Sequence, residues 1–212
     1  MNKLIVLCLF LNFTYMPTFA QSPLKIAVIG NSITEGPGRE HQDSYPIQLG
    51  GILGEAYEVR NFGVSGRTLL KKGDFPFWDE PQFEEAKDFA ADIVLIKLGT
   101  NDTKPQNWKY KDEFKSDFVE LIVEMKKNMP RDGKVYVVIP VPVFKDNFGI
   151  SKEVMDKELK PILYDIAEST DSETIDLYTP LLNHGNLFPD GIHPNSEGLT
   201  IMAETLSKAL KR

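Results

Sequence analysis

Asp92-Ile93-Val94-Leu95-Ile96-Lys97-Leu98 is a nearly continuous apolar run of strand length that stops at Gly99-Thr100-Asn101-Asp102. A strand with one wet face alternates apolar and polar residues, so a run without alternation reads as a strand covered on both faces. Residues 24–29 and 134–140 have the same character, while residues 57–62 alternate and end at Gly63. Residues 173–177 form one more short candidate strand. Between these runs the spacing turns helical, over residues 44–53, 83–91, 111–128, 151–169 (despite Pro161) and 195–210, where Asn195 is the expected cap. Five strands alternating with helices predict an α/β fold, a parallel sheet with helices on both faces. In such sheets, sites form beyond the carboxyl ends of the strands.

Residues with chemical potential gather at that edge. Gly30-Asn31-Ser32-Ile33-Thr34-Glu35-Gly36 places Ser32 just past the first strand, Gly63 follows the second, and Asn101 follows the third. Asp190-Gly191-Ile192-His193-Pro194 follows the fifth. A serine hydroxyl needs a base to become a useful nucleophile, and an imidazole with a pKa of about 6.5 can serve. Of the three histidines, His41 and His184 sit in polar loop sequence, whereas His193 has a carboxylate three positions earlier. Asp190 can fix the imidazole tautomer and stabilise the imidazolium that forms. The oxyanion created by attack needs preorganised donors, each worth roughly 3 to 4 kcal/mol in the transition state. Candidates are the backbone N–H groups of Ser32 and Gly63 and the side-chain amide of Asn101.

These segments together resemble the SGNH, or GDSL-type, esterase/lipase superfamily. Gly30-Asn31-Ser32-Ile33-Thr34 looks like its first block, Asn61-Phe62-Gly63-Val64-Ser65-Gly66 its second, Gly99-Thr100-Asn101-Asp102 its third and Asp190-Gly191-Ile192-His193-Pro194 its fifth. The resemblance implies a flavodoxin-like three-layer α/β/α sandwich that uses no cofactor and no metal. It also implies Ser32 as nucleophile, His193 as base, Asp190 as its orienter, and Ser32, Gly63 and Asn101 as the oxyanion hole. One residue departs from the pattern: the position before the nucleophile is often Asp in this family and here is Asn31. That departure bears on the hydrogen bonding that shapes the loop around Ser32.

Each signal has a plainer reading. Ser32 can simply turn the chain after a strand, Asn101-Asp102 suits an Asx-turn, and Gly63 can merely end a strand. Asp190 with His193 can belong to a metal site, but lacks a second nearby histidine or a cysteine. Asp102 and Asp190 as paired glycosidase carboxylates would leave Ser32 and His193 unemployed. Among the aromatics, Phe75 and Phe77 read as core residues, whereas Trp78 and Trp108 are split between core and a sugar-stacking cleft wall.

The first twenty residues carry Lys3, an apolar stretch over 4–11 and the small-residue exit Thr18-Phe19-Ala20, the layout of a cleavable secretory signal peptide. The stretch falls short of the roughly 20 apolar residues that span a bilayer. Cys8, the only cysteine, lies in this segment, so the mature chain is expected to have no thiol chemistry. Loss of residues 1–20 takes the formal net charge from -7 to -8, which gives no footprint for nucleic acid or anionic lipid. Residues 21–212 are expected to form a single domain.

The expectation is a secreted or periplasmic serine esterase acting on a small-molecule or glycan ester. Connecting loops read as short, with none long and apolar enough for an interfacial lid, which favours acetate as the acyl group. The rivals are a lysophospholipase or thioesterase for longer chains and a non-catalytic glycan-binding protein on the same fold.

Overall fold

The structure is a computed structural model that describes residues 22–211. The signal-peptide reading of residues 1–20, with Cys8, lies outside the described residues. Five strands, β1 (Leu24–Gly30), β2 (Tyr57–Gly63), β3 (Ile93–Lys97), β4 (Lys134–Ile139) and β5 (Glu173–Asp176), form one sheet in the order β2-β1-β3-β4-β5. Every neighbouring pair is parallel. The three-layer sandwich follows from the helices: α1 (Tyr45–Leu53), α2 (Pro81–Asp88), α3 (Phe114–Lys126), α4 (Lys160–Ser169) and α5 (Ser196–Leu210).

Alternation along the central strands divides the core in two. Ala27, Ile29, Val94 and Ile96 face Phe83 of α2, Phe114, Phe118 and Ile122 of α3 and Leu163 of α4. Ile26, Val28 and Leu95 face Leu49 of α1 and Leu199, Met202 and Leu206 of α5. The continuous apolar runs are thus buried on both sides, because helices cover both sides.

Two features differ from the sequence expectation. The helix over residues 151–169 is not regular: Lys152–Val154 leads into a π-helical turn, Met155–Leu159, before α4. Pro161 has no N–H to return to the preceding turn, and the wider turn, in which Lys160 N–H reaches Met155 O, absorbs that loss. The connection from β2 to α2 is also not short, running from residue 64 to residue 80. It is pinned rather than lid-like: Leu69 and Leu70 are fully buried, and Asp102 accepts from both of their N–H groups at 3.0 and 2.7 Å. Asp117 accepts from Lys71 N–H at 2.9 Å.

The strand order sets the position of the site. From β1 the chain goes to β2 on one side, and β3 then adds on the other, so the loops after β1 and β3 part at the carboxyl edge and leave a crevice. Ser32 lies after β1 and Asn101 after β3.

Candidate active site

Ser32 opens a single helical turn, Ser32–Glu35, directly after β1. Asn31, not Ser32, caps that turn: its Oδ1 accepts from Ile33 N–H at 3.3 Å. Asparagine and aspartate cap equally well, so this cap does not require the Asp often found at that position. The buried Asn31 Nδ2 has no partner among the described residues.

Glycines let this turn sit tightly on the sheet. A Cβ on Gly30 would stand 2.0 Å from Thr34 Oγ1, and one on Gly63 would stand 2.3 Å from Glu35 N. Gly63 therefore does more than end a strand: the backbone of the Ser32 turn occupies the space a side chain would need. Asn61, in the preceding strand position of the same face, stitches the two segments together by donating from Nδ2 to Thr34 O at 2.8 Å and Arg39 O at 3.2 Å. Glu35 adds a second link, accepting from the Ser65 N–H at 2.9 Å and from the Ser65 hydroxyl.

Across the crevice, His193 Nε2 lies 2.9 Å from Ser32 Oγ, and His193 Nδ1 lies 2.7 Å from Asp190 Oδ2. An ionised carboxylate only accepts, so Nδ1 carries the proton and Nε2 is left free to accept from the serine. Asp190 Oδ1 also accepts from the main-chain N–H groups of Ile192 and His193 at 2.8 and 2.7 Å. Partial burial pushes the Asp190 carboxyl up, but these hydrogen bonds outweigh it and hold the group below its ordinary value. Gly191, at φ 85, makes the turn that folds the carboxylate back onto the imidazole.

The three candidate oxyanion donors are unequal. Ser32 N–H has no acceptor among the described residues. Asn101 Nδ2 gives one hydrogen to Arg67 O at 3.0 Å, which orients the amide and leaves its second hydrogen available. The Gly63 N–H is already engaged by Asn61 Oδ1 at 2.9 Å, so it can serve an oxyanion only by sharing.

A cleft of about 310 Å³ opens at the Ser32–His193 pair, lined also by Gly36, Pro37, Ser65 and Leu199. His41 and His184 are not among its lining residues. Asp102 is fully buried, does not line the cleft and braces the 64–76 loop by accepting from the Leu69 and Leu70 N–H groups, while burial raises its carboxyl to about 7 against their pull. No three His, Cys, Asp or Glu side chains converge among the described residues.

Of the aromatic residues, the two open cases close on the core side and one expectation, Phe75, is overturned. Trp108 is buried and donates to Glu158 at 3.0 Å, and Trp78 is part-buried, donating to Leu69 O at 2.7 Å. Neither lines the cleft. Phe77 is buried as expected, but Phe75 is exposed. Phe148, also outside the lining of that cleft, does stand beside the relay, 5.7 Å from the His193 ring, and the sequence reading missed it. Its signal was an aromatic residue set in the polar turn sequence Lys145-Asp146-Asn147-Phe148-Gly149, just past a buried strand.

Fold and site together define an α/β protein with a serine–histidine–aspartate relay at the switch point of a parallel sheet. Residues 28–201 match the GDSL-like lipase/acylhydrolase family, and the chain belongs to it. It is 39% identical over 215 residues to an acetylxylan esterase of Xylanibacter ruminicola, covering 92% of this chain and 45% of that protein. The chain spans less than half the length of the curated relatives it matches. Among solved structures, a carbohydrate acetylesterase from Sinorhizobium meliloti superposes with a TM-score of 0.72 at 21% identity, covering 89% of this chain and 98% of that one. An acetylxylan esterase from Geobacillus stearothermophilus gives 0.69 at 24% identity, covering 90% and 95%. These two share the fold.

Proposed function

We propose that the chain is an exported serine esterase that removes acetyl groups from a carbohydrate through an acyl-enzyme on Ser32. The observation that carries this reading is the continuous relay Ser32 Oγ, His193 Nε2, His193 Nδ1, Asp190 Oδ2, at 2.9 and 2.7 Å, opening on a small cleft. His193 takes the hydroxyl proton as Ser32 attacks the ester carbonyl, then gives it to the departing alcohol. Water then attacks the acyl-enzyme, His193 taking its proton and passing it to Ser32 Oγ as the acyl–oxygen bond breaks and acetate leaves. Ser32 N–H and the free hydrogen of Asn101 Nδ2 stabilise the tetrahedral oxyanion, with Gly63 N–H sharing between the oxyanion and Asn61.

Acetate as the acyl group and a carbohydrate as the alcohol are both supported by the acetylxylan esterase relative. Export rests on the layout of residues 1–20, and sequencing the N-terminus of the protein recovered from outside the cytoplasm, expected at Gln21, tests it.

The activity is tested by hydrolysis of p-nitrophenyl acetate, butyrate and octanoate by the protein and by Ser32→Ala, with and without a chelator. The expected result is a rate that falls with acyl length, vanishes in the variant and ignores the chelator. A maximum at octanoate would move the assignment to longer acyl chains. Ester hydrolysis that survives Ser32→Ala would remove Ser32 as nucleophile.

A further inference from the structure

Phe148 combines three properties that folding alone does not favour. Its side chain is 59% exposed, so it adds little to the core. Its backbone sits at φ 51, in the left-handed region that bulky residues avoid, and glycine would hold that place without strain. Its ring stands against the His193 imidazole, centroids 5.7 Å apart and planes at 60°.

The surrounding loop enforces this arrangement. Asn147 Nδ2 donates to Asp190 O at 3.0 Å, and Asn147 Oδ1 accepts from Phe148 N–H at 2.9 Å, tying the loop to the residue that orients the imidazole. Ile150 N–H returns to Asn147 O at 2.8 Å, closing the turn, and the Ile150 side chain is buried. Ser151 N–H donates to Thr103 Oγ1 at 3.2 Å, fixing the far end beside the Asn101 segment. An exposed ring held this firmly beside a relay, at a backbone angle that bulky residues avoid, points to a role at the site.

We infer that Phe148 is the wall of a subsite for the sugar ring on the alcohol side of the ester, and so a residue that sets preference for glycan over small alcohols. This rests on the esterase reading above. The departing oxygen must take its proton from His193 Nε2, so the alcohol moiety lies next to the imidazole, and Phe148 is the exposed ring found there. The loop that carries the ring is polar: Lys145 and Asp146 are exposed, and a side chain at Gly149 would meet Lys104 Cγ at 3.6 Å. A fatty chain needs continuous apolar surface, whereas a pyranose offers one C–H face to a ring and hydroxyls to its polar surroundings.

The test compares kcat/KM for an acetylated xylo-oligosaccharide with that for ethyl acetate. Phe148→Ala is expected to lower the glycan-to-ethyl ratio about tenfold, chiefly through KM, with Phe148→Trp restoring it. Tyr164→Ala, which removes an exposed ring from α4, leaves the ratio unchanged. Phe148→Gly is expected to lose the preference yet melt no lower than the parent, because it relieves the backbone. An unaltered ratio in Phe148→Ala, in a protein that hydrolyses both esters through Ser32, overturns the subsite and leaves the esterase standing. If neither ester is hydrolysed in a Ser32-dependent way, the esterase reading falls and the subsite with it.

Discussion

His193 binds Asp190 twice, from its main-chain N–H to Oδ1 at 2.7 Å and from its ring Nδ1 to Oδ2 at 2.7 Å. One residue pair thus fixes both the backbone that carries the imidazole and the tautomer in which it waits. Since the pair is three positions apart, the carboxylate and imidazole arrive at the site as one preassembled unit, and the long-range fold has only to bring that unit to Ser32.

Asp190→Asn is expected to lower kcat about 10⁴-fold while KM changes little. The amide oxygen would keep the two main-chain N–H bonds, turning the amide N–H₂ toward Nδ1. That placement favours the wrong tautomer and puts a hydrogen on the nitrogen that must accept from Ser32. Steady-state kinetics on an acetyl ester check it; a loss of less than tenfold would contradict the relay.

Gly63→Ala tests the close approach of β2 to the Ser32 turn. Its methyl would meet Glu35 N at 2.3 Å and Thr34 C at 2.7 Å, both backbone atoms that cannot swing aside. A loss of about 2 kcal/mol in stability is expected, and misplacement of Ser32 by about 1 Å should reduce kcat about 100-fold. Thermal melting and kcat measured together decide it.

Asp102→Asn should loosen the 64–76 loop. The carboxylate serves two N–H groups with two oxygens, and an amide leaves its own N–H₂ facing one of them. The cost is about 2 kcal/mol for the unsatisfied buried group. Because the loop carries Lys71 and Lys72, faster tryptic cleavage there is the readout, accompanied by lower activity, since Arg67 O orients Asn101 Nδ2 from the same loop.

Lys97→Met is expected to stabilise the protein, and more at pH 6 than at pH 10. The Lys97 Nζ is fully buried without a partner among the described residues, and burial lowers the amine from 10.5 to about 7. Between those values the unfolded chain holds the proton and the folded chain does not, so stability rises with pH across that window. Below it the folded protein carries the whole burden of a buried charge, on the order of a few kcal/mol. Denaturant melts of both proteins at the two pH values measure the difference; an effect equal at both would show that Lys97 titrates normally.

The alternation of strands and helices was legible because each buried run names its own type: Leu95 and Ile96 need cover on opposite faces, and only a sandwich supplies it. The gathering of Ser32, Gly63, Asn101 and Asp190 on one edge was legible for the same reason, as parallel strands all end on one side. The aromatic residues were not. Trp108 and Phe148 both lie in polar loop sequence, yet one is buried against Phe114 and the other stands in solvent.

The sequence by itself determined the parallel layered fold and the Asp190–His193 unit, because period and short spacing are local properties of the chain. Only the tertiary structure decided that Asn61 takes up the Gly63 N–H, that Asp102 braces a loop, that Lys97 ends in an apolar core and that Phe148 is displayed beside His193. Each depends on which distant segment packs against that residue, and no local pattern encodes the identity of a neighbour brought in from across the chain.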